Sequence, residues 1–150
     1  MIEKEMYQTF KNLTQNQKWI LLSNINTDGI PETRAMINLA NPKLFPNLQQ
    51  FFDDSFTAYF STATRSDKIG QFTVNSNASI YYYDEKMEGL LLMGNMEIIM
   101  DQKVKEEFWQ DSWTMYYPKG VTDPDYSLLK FTPDSYKFFG GLNIYKAGNL

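Results

Sequence analysis

The chain has 150 residues, 43% hydrophobic and 21% charged, with a formal net charge of −4. That size suits one domain with its own core, and the acidic balance argues against a nucleic-acid binder, which would present a basic face. Cysteine and histidine are both absent, which removes disulfides, thiolate and imidazole metal sites, Ser-His-Asp triads and the usual general base.

Taken in order, the opening segment MIEKEMYQTF lacks the apolar core of a signal peptide, and no later run is long enough to span a membrane. The expectation is a cytoplasmic protein. Ile2, Met6, Phe10 and Leu13 recur at helical spacing and predict an amphipathic helix over residues 2–14. Residues 19–25, WILLSNI, read as a buried strand. Asn26-Thr27-Asp28-Gly29 is a hairpin signal, because Asp-Gly accepts the positive φ of a tight turn. The returning strand, residues 31–39, alternates. Thr33, Ala35, Ile37 and Leu39 are assigned to the barrel interior, and Glu32, Arg34, Met36 and Asn38 to the other face. An arginine there is either a solvated cation paired with Glu32 or part of a site.

After the proline-broken segment 41–46 and a turn of helix around Leu48, Phe51 and Phe52, an aromatic strand begins at Phe56. It runs into Ser61-Thr62-Ala63-Thr64, then Arg65 and Ser66, and a helix starts at Asp67-Lys68-Ile69. Strand, hydroxyl-rich turn and helix N-terminus with a cation form a place suited to a phosphate, since the first helical N–H groups are unpaired and the helix dipole attracts an anion. The plain alternatives are an ordinary N-cap for Ser66 and a solvated first-turn residue for Lys68. A tyrosine-rich strand follows over 78–84, and a long strand over 90–100. Gly94 in the long strand signals a bulge or a close approach by another backbone or a ligand. Asp101 is a predicted N-cap. Trp109, Trp113, Tyr116 and Tyr117 read as core or interface aromatics. Strands over 126–132 and 135–139, separated by a Pro133-Asp134 turn, lead to a polar tail. Hairpin connections imply antiparallel pairing. The fold class is α+β, a single domain over 1–150 built on a small antiparallel split β-barrel with two or three peripheral helices.

Several pieces in this order resemble the split-barrel superfamily related to pyridoxamine 5′-phosphate oxidase, in its general stress protein 26-like branch. They are Asp28-Gly29-Ile30-Pro31 with Arg34-Ala35-Met36, Tyr59-Phe60-Ser61-Thr62 with Ser66-Asp67-Lys68, and Asn77 to Tyr83. Gly94, Phe108-Trp109 with Trp113, Tyr116 to Gly120, Asp123 to Tyr126 and Leu128 to Pro133 complete the match. The resemblance implies a homodimer with an FMN site at each subunit interface. Arg34 and Lys68 would hold the FMN phosphate, with Met36 beside them in the same strand motif. Ser61, Thr62, Thr64 and Ser66 would bond the phosphate or the ring edge. Trp113 and Tyr116 would stand around the ring, and Gly94-Asn95 would reach it from the other subunit. FAD, or no cofactor, stays open.

Two departures limit the activity. The vitamin B6 oxidases carry an Arg-x-His element near the C-terminus, and this chain has no histidine. Phe138-Phe139 stands where their last strand tends to carry tryptophan. The expectation is an FMN-binding oxidoreductase with a nicotinamide cofactor, NADH or NADPH, or a small electron acceptor as partner, not a true pyridoxamine-phosphate oxidase. The alternative is a non-catalytic flavin-binding or stress-related sequestering protein. A deazaflavin or haem barrel is a further rival, with haem disfavoured by the missing His and Cys ligands.

Overall fold

A computed structural model describes residues 2–150. Its strands are β1 Trp19–Ile25, β2 Pro31–Ile37, β3 Ala58–Ala63, β4 Asn77–Tyr83, β5 Glu88–Ile99, β6 Tyr126–Gly140 and β7 Tyr145–Asn149. The α-helices are α1 Lys4–Asn16, α2 Asp67–Val74 and α3 Gln102–Phe108, joined by 3₁₀ turns at Pro46–Phe51, Asp111–Met115 and Gly120–Thr122. All the strands pair antiparallel in the order β2-β1-β4-β5-β6-β3, with β7 added to β6. The two ends of this path, β2 and β3, are not hydrogen-bonded to each other. The sheet is therefore a curled, incomplete barrel, and the α+β split-barrel class expected from the sequence is the one observed.

Strand alternation divides the apolar side chains into two clusters. Leu129 and Phe131 of β6 face inward with Phe60, Ile80 and Leu92, and α1 closes this core with Phe10 and Leu13. The neighbouring Tyr126 and Leu128 face outward, where Phe108, Trp113, Leu39 and Leu48 cover them. The Phe10 ring meets Tyr136 and Phe138 at centroid distances of 5.1 and 5.3 Å, in the tilted and edge-on geometries aromatic pairs favour.

Three sequence expectations are corrected. First, the faces of β2 are the reverse of those assigned. Thr33 and Ala35 are exposed, while Glu32, Arg34 and Met36 are half-buried, with Met36 against the inner core. Ile37 and Leu39 do pack, but into the outer cluster. Second, Pro133-Asp134 is no turn: β6 runs unbroken for 15 residues. A bulge absorbs Asp134, because Met93 pairs with Ser135 while Gly94 pairs with Pro133. On the other edge of β6 the β3 ladder ends at Phe131 and the β7 ladder starts at Ser135, so the missing N–H of Pro133 falls in a gap between partners. Third, the polar tail is strand β7, paired along its length with β6 although every residue is exposed.

Gly94 marks a close backbone approach. A Cβ there would sit 2.1 Å from the Thr132 carbonyl oxygen and 2.7 Å from Pro133 Cα. Gly94→Ala is expected to destabilise the protein by roughly 1–3 kcal/mol in urea denaturation, because backbone atoms must move. Gly70→Ala, with open space around its Cβ inside α2, is expected to stabilise by about 0.5–1 kcal/mol in the same measurement.

Candidate functional site

The turn from β3 into α2 is built as the local chemistry requires. Ser66 takes an extended conformation before the helix, and its Oγ accepts from the Lys68 backbone N–H at 3.4 Å. The same oxygen accepts from Lys68 Nζ at 2.7 Å, so the cap bends the lysine back over the first turn of α2. Among the described residues Lys68 has no ion-pair partner. Burial pulls its pKa below the ordinary lysine value, the nearby Arg34 charge adds to this, and Asp67 opposes it.

Arg34 reaches this corner from β2. One guanidinium nitrogen, Nη1, donates to the Leu22 carbonyl at 3.3 Å and to Asn24 Oδ1. The other, Nη2, lies 3.5 Å from the Glu32 carboxylate, whose side chain is 42% exposed. Burial lowers the Arg34 pKa and the Glu32 charge opposes this. Two half-buried cations thus sit close enough for the Arg34 charge to act on Lys68, with Glu32 paired to Arg34 and Asp67 opposing at Lys68. Their arrangement suits an anion carrying more than one charge.

Two recesses are lined by chain neighbours of the cations, although neither Arg34 nor Lys68 lines either of them. One, about 560 Å³, lies between the β1–β2 hairpin and the start of α2 and is lined by Glu32, Ser66 and Gln71 among others. The other is a groove of about 430 Å³ on the far side, walled by Met36, Phe45, Ser61, Trp113, Tyr116 and Tyr117. No charged side chain lines this groove among the described residues. Burial pushes the Tyr117 phenol up, and the Ser61 hydroxyl beside it acts the other way. Because side chains two apart share a strand face, Arg34 stands between Glu32 of the first recess and Met36 of the second.

The sequence-predicted residues are therefore distributed unequally. Arg34, Lys68 and Ser66 converge, while Met36, Ser61, Trp113 and Tyr116 share the neighbouring groove. Thr62 is buried on the face of β3 opposite Ser61. Thr64 lies outside both recesses: its Oγ1 donates to the Pro124 carbonyl at 2.8 Å and shares a 2.7 Å hydrogen bond with Ser127, tying β3 to the loop before β6. Asn95 is exposed and accepts from Ser76, and Gly94 packs on Thr132; within one protomer neither lines either recess. Two site residues were missed, Asn24 and Gln71, both buried. Asn24 carried a signal, since it follows Ile20 and Leu22 on the inward phase of β1. No group of three metal-ligating side chains occurs among the described residues, and no helix there is long and apolar enough to cross a membrane.

The depressed pKa of Lys68 carries a sign. The folded state binds this proton less tightly than the unfolded chain, so native stability rises as pH climbs from the depressed value toward 10.5. At neutral pH the charged Lys68 therefore opposes folding. Lys68→Met is expected to raise the melting temperature of the ligand-free protein. Added inorganic phosphate should then stabilise the wild type more than the variant in the same thermal-shift measurement.

The family model described as pyridoxamine 5′-phosphate oxidase like matches residues 33–140. Among solved structures, the chain is similar to a Clostridium acetobutylicum protein related to general stress protein 26 of B. subtilis, described as of the pyridoxinephosphate oxidase family. Identity is 26% and TM-score 0.82, covering 99% of this chain and 97% of the other. A pyridoxamine 5′-phosphate oxidase-related, FMN binding protein from Nostoc punctiforme shares the fold at 15% identity and TM-score 0.70, covering 100% and 97%. A heme binding protein from Mycobacterium smegmatis does so at 11% identity and TM-score 0.71, covering 99% of this chain and 60% of that one. No curated protein sequence matched. With the family model spanning most of the chain and the split barrel to match, this protein belongs to the pyridoxamine 5′-phosphate oxidase-like family.

Proposed function

We propose that the protein binds FMN and acts as a flavin-dependent oxidoreductase, with NADH or NADPH as electron donor. One observation carries the reading: Arg34 and Lys68, both half-buried, converge where the lysine has no ion-pair partner among the described residues. A phosphate with two negative charges offsets the burial that lowers both pKa values and the Arg34 charge that adds to it at Lys68. The residues fit FMN better than a free phosphate, because an uncharged groove with aromatic walls is lined by Met36, two residues along β2 from Arg34.

In this reading Arg34, Lys68 and Ser66 hold the phosphate, and Met36, Ser61, Trp113 and Tyr116 surround the ring. The flavin supplies hydride chemistry when bound. The chain's own groups bind, orient and exclude water. Ser61 and Tyr117 supply hydroxyls on the groove's lining that can bond a ring carbonyl. Trp19, Met115 and Tyr116, at 52%, 75% and 65% exposure on the groove's walls, favour a second copy of the chain covering the groove. We propose a homodimer on this ground.

Titration by quenching of flavin fluorescence tests the assignment. The double variant Arg34→Ala, Lys68→Ala is expected to weaken FMN binding at least a hundredfold, from loss of two charged hydrogen-bonding groups worth about 1.5–3 kcal/mol each. Wild-type affinity in the double variant would refute the phosphate site. FMN binding without turnover of NADH or NADPH against several acceptors would restrict the role to flavin binding.

A further inference from the structure

Arg34 is backed by a pair of buried amides. Asn24 is 2% exposed and Gln71 8% exposed. Asn24 Nδ2 donates to Gln71 Oε1 at 2.8 Å, and Asn24 Oδ1 accepts from Arg34 Nη1. The orientation follows from donor and acceptor inventory. A guanidinium only donates, so the atom facing it must be the Asn24 oxygen. The Asn24 nitrogen then faces Gln71, whose facing atom must be oxygen. Gln71 lies three residues after Lys68, on the same side of α2. The contact joins residues 47 apart in sequence and fixes α2 to β1 directly behind Arg34.

We infer that Asn24 and Gln71 are positioning residues that hold the Arg34 guanidinium toward the phosphate without neutralising it. The inference rests on the reading of Arg34 as a phosphate ligand. Its physical core is the choice of a neutral acceptor. A carboxylate at position 24 would fix the guanidinium as well, but would form a buried ion pair and cancel the charge the ligand needs. An apolar side chain there would leave the arginine to its solvent-side partner Glu32 and to the single Leu22 carbonyl. The amide supplies direction and leaves the charge intact. Gln71 in turn keeps the Asn24 oxygen aimed at Arg34.

The test compares FMN with riboflavin, which carries the same ring without the phosphate. Wild type, Asn24→Asp and Gln71→Met are each titrated with both by fluorescence quenching. Asn24→Asp is nearly isosteric, and the Gln71 amide can turn to donate to the new carboxylate. The expected result is a fall of about tenfold or more in the preference for FMN over riboflavin in Asn24→Asp, with riboflavin affinity unchanged. Gln71→Met should lower the same preference by a smaller factor, and it decides the matter if Asn24→Asp does not fold. Retention of the wild-type preference in a folded variant overturns the inference. So does a parallel loss of both ligands, the sign of a merely structural defect. Equal binding of FMN and riboflavin by the wild type overturns the phosphate reading itself, and the positioning role falls with it.

Discussion

Two half-buried cations brought close together, one of them paired with a partly solvated carboxylate, set the terms for the rest of the structure. Burial disfavours both charged forms, and the Arg34 charge further disfavours that of Lys68. The barrel is left open between β2, which carries Arg34, and β3, which leads into the helix that carries Lys68.

The long strands make that opening affordable. β5 and β6 pair over most of their length, and β6 carries β3 and β7 in succession on its other edge. The Met93/Gly94 bulge lets the ladder change register where Pro133 interrupts it, and Gly94 is required because the Thr132 carbonyl occupies the space of a side chain. The outer aromatic cluster around Phe108, Trp113 and Tyr126 then fixes the 3₁₀ segment that walls the groove.

Local chemistry was legible in the sequence where a few adjacent residues decide the outcome. The apolar spacing of α1, the limits of β1, the Asp28-Gly29 turn and the caps Ser66 and Asp101 all follow from neighbouring side chains. The faces of β2 were not legible by hydrophobicity, because the inward side holds Glu32 and Arg34 while small Thr33 and Ala35 face out. A strand that serves a site breaks the alternation that strand assignment relies on. The continuity of β6 through Pro133 depends on which partners lie opposite. The strand character of Tyr145–Asn149 depends on the free edge of β6 rather than on Lys146, Gly148 or Asn149. The Asn24–Gln71 contact depends on residues from separate elements, and only the polar residue in the inward phase of β1 hinted at it.

The most direct measurement is the phosphorus NMR spectrum of FMN titrated with the protein across pH. The account predicts a shifted phosphate resonance that stays dianionic below the ordinary second phosphate pKa of about 6, because two cations stabilise the doubly charged form. A bound flavin whose phosphate line neither shifts nor changes its pKa would contradict the account.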